Sequence, residues 1–126
     1  MRDLAHFPKD EIGLILLLQH VDPQIRQQAA YALGRVSNIS EVGFRALGES
    51  LLDLNDEVCI ASAVSLFGYG SSCQVAIPNL VKAMDHRNPY VQRIVLGTLS
   101  LIEPDAIVAI PTNMNRLLDS DLTTNK

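Results

Sequence analysis

The sequence predicts an all-α fold, an α-solenoid of about three stacked helix pairs closed by a C-terminal capping helix. Two observations predict it. The segments Asp22-Pro23-Gln24-Ile25-Arg26, Asn55-Asp56-Glu57-Val58-Cys59 and Asn88-Pro89-Tyr90-Val91-Gln92 lie 33 residues apart, and Leu33, Leu66 and Leu99 follow them in the same register. A fixed period of this size marks stacked repeats, because each unit buries its apolar face only against the next. Within each copy, apolar residues recur at three- and four-residue spacing, which places them on one face of a helix.

Each repeat holds two helices. The first helices are expected over 11–20, 43–53 and 76–85, where Leu14, Leu47 and Leu80 are in register and Leu18, Leu51 and Met84 follow four residues later. The second helices are expected over 23–36, 56–69 and 89–102. Pro23 and Pro89 stand at the first helical position, where a missing N–H costs nothing. Asp22, Asn55 and Asn88 precede them as N-caps that accept from first-turn amides.

The core stripe of the second helices reads Ile25, Ala29, Ala32, Leu33, Val36 in the first repeat. It continues as Val58, Ser62, Ser65, Leu66, Tyr69 and then Val91, Val95, Thr98, Leu99, Ile102. Its small middle residues, and Gly34, let neighbouring helices approach closely. A fourth, partial unit over 107–119, with Ile110-Pro111, Met114 and Leu117 in register, reads as the closing helix with a polar outer face. The domain plan is an N-terminal extension at 1–10, the repeat domain at 11–121 and a polar tail at 122–126. Leu14-Ile15-Leu16-Leu17-Leu18 is apolar all round, so it needs cover from residues 1–10, with Leu4 and Phe7, or from a second molecule.

The bulk composition narrows the function. At 126 residues, 48% hydrophobic and 19% charged, the chain suits one packed domain. A net charge of −4 with Lys and Arg scattered argues against a nucleic-acid grip. Two cysteines are too few for a disulfide framework, which suits a reduced, cytoplasmic setting. The start lacks an apolar signal core, and 12–18 is too short to span a bilayer. No membrane association is expected.

Asp-Pro at the turn, then Ile25-Arg26, Ala29-Ala30 and Ala32-Leu33-Gly34-Arg35-Val36, resembles the HEAT-like repeats, specifically the short variety found in phycobilisome lyases. Ala76-Ile77-Pro78-Asn79-Leu80-Val81-Lys82-Ala83-Met84 is similar to that family's first helix. The likeness covers about residues 11–105. Its second copy departs, with Cys59 where Arg26 stands and Phe67 where Gly34 stands. The resemblance implies the solenoid and leaves function wide, since members are scaffolds, lyase subunits, hydroxylases and DNA glycosylases. It also implies an alternative function, a bilin lyase-like chaperone subunit handling a tetrapyrrole on a phycobiliprotein.

Catalytic constellations are thin. The register aligns His20, Asp53 and His86 just before the caps, types that ligate metals; turn residues complementing helix ends are the simpler reading. The His-Glu pairs of iron-binding hydroxylases are missing, since Val21 follows His20 and Arg87 follows His86. Cys59 and Cys73 read as fillers. Gly68-Tyr69-Gly70-Ser71-Ser72 is a helix end rather than a phosphate loop, with no strand before it. Six aromatics and no Trp give a base-stacking glycosylase little to use. No enzyme activity, cofactor or metal is expected.

The informative surface is the outer face of the second helices: Gln24, Gln27, Gln28, Tyr31 and Arg35, then Glu57, Ile60, Ala61, Val64 and Gly68, then Tyr90, Arg93, Ile94, Gly97 and Leu101. In a right-handed stack this face is concave. Ile60, Val64, Ile94 and Leu101 form an apolar patch flanked by Tyr31, Arg35, Tyr90 and Arg93, the composition of a protein interface. The expected function is a non-enzymatic interaction module that docks a protein partner, or a second copy of itself as a homodimer. The alternative is that these side chains are core, and Ile60→Glu with Ile94→Glu separates the two.

Overall fold

Helix starts are set by short polar side chains that accept from first-turn amides. A computed structural model describes residues 7–102. Asp10 accepts from the Gly13 amide (2.9 Å) and opens α1 (Glu11–Leu17). Asp22 accepts from Gln24 (2.8 Å) and opens α2 (Pro23–Leu33). Ser40 opens α3 (Glu41–Ser50), and Asn55 opens α4 (Asp56–Tyr69) by accepting from Glu57 and Val58. A 3₁₀ segment, Gly70–Ala76, leads to α5 (Ile77–Ala83), and Asn88 caps α6 (Pro89–Ile102) through the Tyr90 amide (2.8 Å). The described residues are all-helical, without a strand. The expected closing helix at 107–119, the tail and Leu4 lie outside the described residues.

α4 and α6 occupy the expected spans, while the other boundaries move for identifiable reasons. The first helices end at Leu17, Ser50 and Ala83 because their last residues tighten into i→i−3 turns, such as His20 to Leu17, Asp53 to Ser50 and His86 to Ala83. α3 begins two residues earlier than expected, since the Ser40 side chain supplies the cap. α2 stops at Leu33 instead of Val36. The Tyr69 hydroxyl sits 2.5 Å from the Leu33 carbonyl and 2.8 Å from that of Val36, taking up these carbonyls, and Asn38 at φ 56° reverses the chain.

Helix pairing follows the repeat. α1 packs on α2, α3 on α4 and α5 on α6; between pairs, α2 contacts α4 and α4 contacts α6, while α1 contacts α3 and α3 contacts α5. The core holds the in-register leucines Leu14, Leu47 and Leu80 and Leu33, Leu66 and Leu99, all at 0–1% exposure. The polar members of the stripe are satisfied internally, which lets them be buried. Ser62 donates to the Val58 carbonyl (2.9 Å), Ser65 to that of Ala30 (2.7 Å) and Thr98 to that of Ile94 (2.8 Å). Phe44 meets Tyr69 edge-on at 5.1 Å. The run Asp56–Ala83 is long and apolar enough to cross a membrane by composition, yet Gly70 breaks it at φ 58° and much of α4 lies in the core.

The N-terminal segment covers one side of α1. Pro8 lies so close that a Cβ at Gly13 would sit 2.7 Å from its own Cβ, and Phe7 packs on the core. The other side of α1 leaves Ile12 and Leu16 exposed.

Candidate functional site

Three inter-helix turns share one design. His20, Asp53 and His86 each accept from the amide two residues on, at 3.0, 2.9 and 2.9 Å. They are turn builders and do not converge on a point. One register position further into each second helix, a side chain donates back to the carbonyl six residues earlier: Arg26 to His20 (2.7 Å), Cys59 to Asp53 (3.0 Å) and Gln92 to His86 (2.5 Å). Cys59 is therefore the weak-donor member of a set whose role is retained.

Arg26 also joins the first repeat to the second. Its Nε and Nη2 reach the two Asp53 carboxylate oxygens at 2.9 and 3.0 Å, a bidentate pair largely shielded from water. Arg87 joins the second to the third, donating to the Leu54 carbonyl (2.9 Å) and pairing with Asp56 at 2.5 Å. The Asn88 hydrogen bond, ahead of the Arg87 charge, holds the Asp56 carboxyl below its ordinary value despite desolvation.

Asp56, Cys59 and His86 bring metal-ligating atom types within 4.8 Å of one another. Their hydrogen bonding runs against ligation. His86 Nδ1 already accepts from the Asn88 amide, so the neutral ring carries its proton on the buried, unpartnered Nε2, and neither nitrogen offers a lone pair. Asp56 is paired with Arg87. Burial pushes the Cys59 thiol up, and that of Cys73 to about 11, away from reactivity.

His86 gives a pH dependence instead. Its ring is only 7% exposed, and desolvation, followed by the Arg87 charge, lowers its pKa below 6.5. The unfolded chain then binds more protons below pH 6.5, so stability falls as pH drops from 6.5 toward the folded pKa. Urea midpoints from pH 7 to pH 5 are expected to decline for the wild type. They should decline less for His86→Asn, whose amide oxygen accepts from Asn88 without titrating; parallel slopes would remove His86 as the cause.

The expected partner-binding residues divide into three groups. Val64, Tyr90, Arg93 and Ile94 line one groove of about 420 Å³ between α4 and α6. Val64 is 38% and Tyr90 54% exposed. Ile60, Ile94 and Tyr31 are half-buried and packed on the core, and Ala61 is fully buried rather than on the outer face. Arg35 lies apart, beside Phe7 and Lys9. Leu101 is exposed near Gly70, outside the groove lining.

The groove's fifth member, Phe67, was missed as a binding residue because it stands in the Gly34 register position and read as a departure from the repeat. It is 47% exposed, and its ring edge lies 3.3 Å from where a Cβ on Gly97 would project. The available signal was Phe67 three residues after Val64, on the same helical face. No protein-family model matches the chain, and no curated protein matches it.

Proposed function

We propose that this chain is a non-enzymatic, cytoplasmic α-solenoid of HEAT-like repeats that binds a protein partner, a second copy included, through the face formed by α4 and α6. The repeated turns and the alternating contacts of first and second helices support the stacked arrangement. One observation carries the binding role: Val64, Phe67 and Tyr90 leave apolar and aromatic surface open in a single groove, beside an Arg93 with no carboxylate partner among the described residues. Aromatic residues and arginine at the centre of a desolvated patch dominate protein interfaces.

Ile60→Glu with Ile94→Glu is a poor probe, because both side chains pack on the core and a charge there unfolds the chain. Val64→Glu with Phe67→Glu places charge on exposed positions. Light scattering after size exclusion, and binding to immobilised wild type, are expected to register an association that this variant weakens by about 30-fold or more, the scale of a hot-spot residue. Helicity and the melting temperature should change little. Undiminished association, or collapse of the fold, would overturn the reading.

A further inference from the structure

Residues 7–9 roof a pocket of about 430 Å³ on the opposite side of the molecule's first helix pair from the exposed Ile12 and Leu16. Gly13 permits it: without a side chain there, Pro8 settles directly on α1 and carries Phe7 and Lys9 over α2. Leu14, Ala32, Val36 and Phe7 give the pocket an apolar lining, and Lys9, Arg35 and Gln28 supply its polar heads. The volume falls within the roughly 300–1,000 Å³ typical of small-molecule sites, which combine an apolar wall with a few convergent polar groups.

The charges are what select a ligand. Lys9 and Arg35 have no acidic partner among the described residues, in a chain whose net charge is −4. Arg26 and Arg87, by contrast, are both paired with carboxylates. Two unpaired cations beside an apolar wall complement one chemical class, an anionic head with an apolar tail. A carboxylate suits Arg35 in particular, since the guanidinium fork matches its two oxygens. We propose that this pocket binds a free medium-chain monocarboxylate, with its head at Lys9 and Arg35 and its tail over Leu14, Ala32 and Val36.

The test uses sodium octanoate, followed by amide NMR of the full chain. Saturable shifts are expected at Leu14, Ala32 and Val36. Lys9→Gln with Arg35→Gln, both exposed positions, should leave the melting temperature unchanged and weaken octanoate by at least about tenfold, the scale of losing a charge-assisted hydrogen bond. Octanol lacks the charge and acetate the tail, so both should bind far more weakly. The Val64→Glu, Phe67→Glu variant should bind octanoate like the wild type, which separates this pocket from the α4–α6 groove. Absence of saturable shifts, octanol binding as tightly as octanoate, or full affinity in the double glutamine variant would each overturn the proposal.

Discussion

Asp53→Ala is expected to lower stability by ~3 kcal/mol, because it strips a shielded arginine of its partner at the joint between two repeats. The Asp53 side chain is 13% exposed and that of Arg26 18%. One carboxylate oxygen serves both Arg26 Nη2 (3.0 Å) and the Asn55 amide (2.9 Å), and the other takes Arg26 Nε (2.9 Å). Removing it therefore orphans a guanidinium and undoes the turn that presents the α4 cap. An exposed pair is worth at most about 1 kcal/mol, so the contrast is large enough to measure. Glu41 with Arg45, both well exposed, supplies that comparison: Glu41→Ala should cost a few tenths of a kcal/mol. Urea unfolding of Asp53→Ala, Arg26→Ala and the double variant gives the coupling directly. A coupling near zero would mean that water already screens the pair.

The period of 33 made the helix pairs legible, since identical caps at Asp22, Asn55 and Asn88 give identical starts and the leucines give identical burial. What stayed hidden was decided by contacts between copies. Nothing local tells that Tyr69 takes up the carbonyls at the end of α2, so the sequence pattern ran α2 on to Val36. Cys59 looked like a lost arginine, yet a thiol reaching the Asp53 carbonyl performs the same donation as Arg26 and Gln92, because the turn requires a donor rather than a particular residue. The candidate groove was half legible. Helical phase put Val64, Tyr90, Arg93 and Ile94 on one face, but depth of burial depends on the neighbouring helix, so Ile60 and Ala61 sank into the fold while Phe67 rose out of it.

Gly34→Ala is expected to destabilise by ~2 kcal/mol, the usual scale of overpacking, and to lower Tm by about 8 °C. A Cβ at residue 34 would lie 2.9 Å from the Ser65 Cβ and 3.2 Å from its Cα. Ser65 cannot swing aside cheaply, because it sits mid-way along α4 and its hydroxyl holds the Ala30 carbonyl at 2.7 Å. α2 and α4 must separate, and both belong to the central contact of the fold. Gly34 has φ −69° and ψ −8°, which alanine adopts freely, so the loss isolates the steric term from backbone strain. Ser65→Gly should cost less in the Gly34→Ala background than in the wild type, since it removes one of the clashing atoms. Gly68 is the control. Nothing lies within 4 Å of a Cβ there, and it sits within α4, so Gly68→Ala should stabilise by about 0.5–1 kcal/mol. Opposite signs at the two glycines, measured by the same melt, would establish that close approach of α2 and α4 is what residue 34 provides; a neutral Gly34→Ala would place those helices further apart.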